Sequence, residues 1–174
     1  MNNTSDTVGV VLIVPDPIGS EVTRLRTHIG DTLGMAIPTH ITLLPPTSIS
    51  VERTRALEQH LAQVAASHGP LTIEVTGTDT FRPASEVVYL AIGQGAQQCA
   101  ELNAAVCSGP VKSPSAFPFH PHITLAHDLA AEVLDEVADD YADLQDEFEV
   151  PQMCLYGLDR ERGWQVRKVY RLGH

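Results

Sequence analysis

The string His-Ile-Thr-Leu occurs twice in this chain, as His40-Ile41-Thr42-Leu43 and as His122-Ile123-Thr124-Leu125. Side chains alternate across a β-strand, so His and Thr share one face while Ile and Leu share the other. Each copy therefore reads as a strand with its apolar face in a core and an imidazole and a hydroxyl on the opposite face. Two such strands bordering one cleft supply a proton acceptor and a proton donor together. The constraint on the fold is equally direct, because the chain must bring two copies of one strand to the same place.

The surroundings of the two strings correspond in order. An apolar run, Val8 to Val14, precedes the first, and Val22, Leu25 and Ile29 then recur at helical spacing. A second run, Val87 to Ile92, precedes the other and leads to Cys99, Leu102, Ala105 and Val106. After the first motif, Ser48 or Ser50 can cap a helix carrying Leu57, Leu61 and Val64, followed by a strand from Leu71 to Val75. After the second, Asp128 can cap a helix with Leu129, Val133, Val137, Tyr141 and Leu144 on one face, followed by a strand from Phe148 to Tyr156. A last strand, Trp164 to Leu172, stands outside this repeat. The pattern predicts one bilobal domain over residues 1–174, with approximate halves 8–81 and 87–157. Residues 164–172 complete the sheet, and residues 1–7 are frayed. The expected class is α+β: two pseudo-symmetric lobes whose antiparallel-type sheets line a central cleft, with helices outside. A doubly wound parallel sheet also suits alternating strands and helices, but it leaves the repeated strand unexplained.

Composition narrows the function. With 22 acidic against 11 basic residues, the formal net charge of −11 argues against a grip on duplex DNA or an anionic membrane. A local pocket can still hold a small phosphorylated ligand. Three cysteines, Cys99, Cys107 and Cys154, form no CxxC pair, and no apolar run approaches transmembrane length. With no leader recognisable at the start, a reducing cytoplasm is the expected location, and nothing demands more than a monomer.

Two H-x-T-hydrophobic strings about half a chain apart resemble the two-histidine (2H) phosphoesterase superfamily, and within it the bacterial 2′-5′ RNA ligase or RNA 2′,3′-cyclic phosphodiesterase branch. The resemblance runs from about Val8 to Leu172. It includes Val14-Pro15-Asp16-Pro17, Leu44-Pro45-Pro46 and Phe119-His120-Pro121-His122. It implies cofactor-independent and metal-independent chemistry on a 2′,3′-cyclic phosphate or 2′-5′ phosphodiester of a small nucleotide or RNA terminus. By position, His40 and His122 would be the catalytic pair, and Thr42 and Thr124 would bind phosphoryl oxygens. Analogy makes His122 the base and His40 the acid, although near-symmetry also permits the reverse. Family members often carry Arg or Lys where this chain has His127, so either His127, Arg82 or Lys112 would supply the charge facing the phosphate or this branch handles a different substrate.

Other readings compete with these. Both histidines could be satisfied core residues, and the threonines simply good strand formers. His120, His122 and His127 invite a metal, but the first motif has no matching second ligand. Phe117 and Phe119 are candidates to stack on a base, or else core. Tyr89 and Trp164 read as core or sheet-face residues. A nucleotide- or RNA-end-binding module without turnover is the alternative function.

Overall fold

The computed structural model describes residues 5–32 and 36–173. The elements run β1 (Ser5–Ile13), α1 (Ile18–His28), β2 (His40–Ser50), α2 (Val51–Ala66), β3 (Leu71–Thr80), β4 (Val87–Ile92), α3 (Ala96–Cys107), β5 (His122–His127), α4 (Ala131–Asp140), β6 (Gln145–Val150), β7 (Gln152–Asp159) and β8 (Gly163–Arg171). The strands form one eight-stranded sheet in the order β6-β3-β4-β5-β2-β1-β7-β8, with every neighbouring pair antiparallel. That excludes the doubly wound alternative and gives the expected α+β class.

The two motif strands sit side by side at the centre, joined through the single pair Ile41↔Ile123. The ladder is flanked on this register by Pro121, opposite Leu43, and by Pro38, opposite Ala126, which lack the N–H that a central strand must donate. The sheet therefore divides here into two four-stranded lobes hinged at one pair of buried isoleucines. Alternation does the rest. Val8, Val10, Leu12, Ile41, Leu43, Ile73, Leu90, Ile123 and Leu125 meet the helix residues Val22, Leu57, Leu61, Leu102, Val106, Leu134 and Val137 in one core. Val11, Cys154 and Tyr156 form a second small cluster with Ile13, Ile37 and Trp164. Val11 pairs with Thr42 and Ile13 with His40, so this cluster lies on the motif face, away from the helices.

Three sequence expectations need correction. The strand foreseen from Phe148 to Tyr156 is two strands, since Pro151 interrupts it; β6 pairs with β3, and β7 pairs with β1. As a result the spatial lobes are not the sequence halves 8–81 and 87–157. β3 crosses to the lobe of the second motif and β7 to the lobe of the first. Finally, residues 5–7 are not frayed, because they pair with Ser50, Ile49 and Ser48; residues 1–4 lie outside the described residues. The helix caps differ too. Ser50 precedes α2 without a side-chain cap bond, and α4 begins after Ala130, with Asp128 giving its N–H to Glu86 O instead.

Candidate active site

Both motif strands are bulged at the same place. β1 partners step from Val11↔Thr42 to Val10↔Leu44, and β4 partners step from Tyr89↔Thr124 to Val88↔Ala126. In each case the motif leucine, Leu43 or Leu125, is the extra residue, and it and its successor are both buried in the main core. The bulge strips Leu43 of its ladder partner, and its carbonyl instead accepts a bond from Asn103 Nδ2 of α3 at 2.7 Å. A polar helix residue thus holds the strand distortion that ends the motif.

Continuing the Ile41↔Ile123 register sets His40 opposite Thr124 and Thr42 opposite His122. The four side chains form a square with the histidines on one diagonal. Diagonal neighbours in an antiparallel pair stand about 7–8 Å apart, which leaves room for a tetrahedral phosphorus between two rings. The rings are oriented alike. Each Nδ1 lies beside the carbonyl two residues earlier, His40 at 2.8 Å from Pro38 O and His122 at 2.7 Å from His120 O. A carbonyl can only accept, so both Nδ1 atoms carry the proton and both Nε2 lone pairs are left for the cleft. Burial holds both imidazoles below the usual histidine range. The bonds to Pro38 and His120 oppose the shift, while Arg26 and His122 add to it for His40 and His120 adds to it for His122.

Two cavities meet at Thr42. The larger, about 780 Å³, reaches His122 and is lined also by Phe81, Tyr89, Asn103, Phe117, Phe119 and His120. The smaller, about 170 Å³, reaches His40 and is lined by Val11, Ile37 and Trp164 among others. The larger falls in the size range of small-molecule sites. Phe117 is 71% exposed at its rim, whereas Phe119 packs against the main core. Thr124 is half-buried beneath Tyr89 on the same face and lines neither cavity.

Of the cations considered for a phosphate, none reaches either cavity. Arg82 bonds Asp135 on α4 at 2.8 Å, His127 lies 3.2 Å from Asp128 beyond the bulge, and Lys112 donates to Cys107 O at 3.1 Å. Arg82 and His127 are thus drawn to carboxylates outside both cavities, whereas Lys112 meets the carbonyl of Cys107, a residue of the larger cavity's wall. Among the described residues no three His, Cys, Asp or Glu side chains converge as a metal would require. The cysteines are unpaired, and burial pushes the Cys99 thiol up to about 12, with Cys107 and Cys154 raised in the same direction. No helix among the described residues is long and apolar enough to cross a membrane.

The sequence reading missed an aromatic wall. Phe81 and Tyr89 stack at 4.3 Å between ring centroids, and the His122 ring stands edge-on to Phe81 at 4.9 Å. Tyr89 corresponds to Val11 in the repeat, so one lobe has an aromatic residue where the other has a small one. Alternation from Val87 places Tyr89 on the motif face, a signal available beforehand. Phe81 and Asn103 act through pairing and packing, which no local pattern displays.

The architecture and the site define a bilobal α+β protein with a two-histidine cleft, and comparison with known proteins agrees. A family model described as the 2′-5′ RNA ligase superfamily matches residues 14–162. The chain belongs to that superfamily, the two-histidine phosphoesterases. A protein of Oceanobacillus iheyensis named "Putative phosphoesterase OB1230" is 26% identical over 169 residues, 95% of this chain and 97% of that one. Another from Geobacillus kaustophilus, "Putative phosphoesterase GK0864", is 31% identical over 137 residues, 79% of this chain and 76% of that one. The fold is also that of E. coli LigT in its complex with NADP+, with a TM-score of 0.73 at 21% identity, covering 98% of this chain and 99% of LigT.

Proposed function

We propose that this chain is a phosphodiesterase that acts on a 2′,3′-cyclic phosphate or 2′-5′ phosphodiester of a small nucleotide or RNA end, using His40 and His122 as its acid–base pair. The observation that carries this reading is a pair of imidazoles on adjoining strands, each fixed through Nδ1–H and, among the described residues, with no hydrogen-bond partner at Nε2. One Nε2 takes the proton of a water as its oxygen bonds to phosphorus. The other imidazole, protonated, gives its proton to the ribose oxygen as the P–O bond breaks. Water is added across the bond, and solvent restores the starting protonation states. Because the rings are equivalent in anchoring, the roles exchange when the reaction runs backwards. Thr42, which borders both cavities, would donate to a non-bridging oxygen, and Thr124, which lines neither cavity, would be its counterpart by the repeat of the motif. The larger cavity suits a nucleoside, with Phe117 and Phe119 as stacking partners. LigT, which shares the fold, has been crystallised with 3′-AMP and with ATP, and that supports a nucleotide ligand here.

The test is hydrolysis of a panel of 2′,3′-cyclic nucleotides and 2′-5′ dinucleotides in the presence of EDTA. Chelator-resistant turnover is the expected result. Binding of cyclic nucleotides with no product after prolonged incubation would replace the enzyme with a binding module, a reading favoured by the absence of Lys and Arg among the described residues that line the cavities.

A further inference from the structure

Among the described residues lining the two cavities there is no Lys, Arg, Asp or Glu. A phosphodiester is anionic, and an anion in a partly desolvated cleft needs a counter-charge or several directed donors. Arg82 pairs with Asp135, His127 with Asp128 and buried Arg26 with Asp31 at 2.7 Å, while Lys112 is itself no lining residue and gives its ammonium to the carbonyl of Cys107 at the larger cavity's wall. His120 is placed differently. It is exposed and lines the larger cavity beside His122. Its ring stands edge-on to the same two aromatic rings, 5.6 Å from Phe81 and 5.5 Å from Tyr89. Its Nε2 lies 3.2 Å from Tyr89 Oη, and among the described residues its Nδ1 has no partner.

We propose that His120 is the cation of this site, binding as an imidazolium the same phosphoryl group that His40 and His122 act upon. The proposal deepens the phosphodiesterase reading and takes from it only the identity of the anion. The proton count is simple. Neutral His120 can accept from Tyr89 O–H at Nε2, leaving one Nδ1–H and no charge. Protonated His120 must donate from both nitrogens, so Nε2–H turns to Tyr89 Oη and the phenolic proton is released to point into the cavity. One proton taken up thus adds a charge and one free donor, Tyr89 O–H, to the His120 Nδ1–H that is free in both states. Tyr89 is held as a phenol first by burial and then by Asp79 on β3, which both raise its pKa. The groups facing His120 are Tyr89 from β4, His122 from β5 and Phe81 beyond the end of β3. A charge on His120 opposes one on His122 and helps to hold His122 neutral. Pro121 restricts His120 to extended backbone. The first motif has Pro38 at the matching position, so only one side of the cleft carries this charge.

The probe is adenosine 2′,3′-cyclic phosphate, whose charge stays constant across the range used. Its equilibrium binding is measured on His40→Ala protein, which removes turnover, with and without His120→Gln, from about pH 5.5 to about pH 8.5 where imidazoles titrate. Protein retaining His120 is expected to bind about ten-fold more tightly at the acid end than the His120→Gln protein. The two should converge at the alkaline end. Adding His120→Arg should keep binding tight at all pH values. Equal affinities and equal pH slopes with and without His120, or no binding by either protein, would overturn the proposal. Hydrolysis by the wild-type chain is scored separately, so loss of the enzymatic reading leaves this result interpretable.

Discussion

An imidazole tied through Nδ1–H to a rigid carbonyl is a base with a fixed direction, and this chain builds two of them from sequence-local parts. The partner is two residues upstream each time, Pro38 or His120. Both histidines titrate below the unfolded value of about 6.5 because burial disfavours the imidazolium. As pH falls through that unfolded value, the unfolded chain takes up protons that the folded chain still refuses. Stability is therefore expected to drop between about pH 6.5 and the lowered folded values. His122→Gln should flatten that drop, as measured by urea midpoints at pH 5 and pH 7.5; an unchanged slope would remove the burial argument. The hydroxyls make a second expectation. Thr42→Val keeps the shape of the strand but loses a donor at the junction of the cavities, and kcat should fall by roughly 10²-fold with little change in KM. A change confined to KM would make Thr42 a ground-state contact. The histidines and threonines were legible because the motif is repeated on alternating positions. The carboxylate partners of Arg82 and His127, Asp135 and Asp128, are set by packing and loop geometry, which the local sequence does not display.

At the level of elements, the bulge is the device that ends each motif. Leu43 and Leu125 both turn inward, and Asn103 satisfies the carbonyl that the first bulge frees. Asn103→Ala leaves that carbonyl without its partner, and a loss of about 1–3 kcal/mol is expected in urea unfolding at unchanged m. Activity should fall too, since Thr42 lies one residue before the bulge; full activity at reduced stability would separate the two. β3 carries a comparable irregularity at Gly77, whose φ of 78° and the 2.2 Å approach of an added Cβ to Ala142 O leave no room for a side chain. Periodicity located most of the elements, and the run Val87 to Ile92 became β4 without adjustment. It missed the break at Pro151, where an apolar run looked continuous although its two parts join opposite lobes.

For the molecule as a whole, the lobe of the second motif takes its strands from one continuous stretch, β3 to β6, whereas the lobe of the first joins β1 and β2 to β7 and β8 from the other end of the chain, and one hydrophobic core runs under both. The lobes should accordingly unfold together. Fluorescence of the single Trp164, in the lobe of the first motif, should follow the same urea transition as far-UV circular dichroism. Two separated transitions would contradict this. The repeat announced two lobes, but strand exchange depends on pairings between distant segments, which local patterns do not encode. Each lobe contributes one histidine to the cleft, and the proposed reaction requires both. The deciding measurement is kcat on a 2′,3′-cyclic nucleotide for His40→Ala, His122→Ala and the double variant, with folding checked by circular dichroism. Each single change is expected to cost about 10²–10⁴-fold, and the double variant should be little worse than either, as for groups that act as a unit. Wild-type turnover in either folded single variant would show that the paired imidazoles do not carry the chemistry.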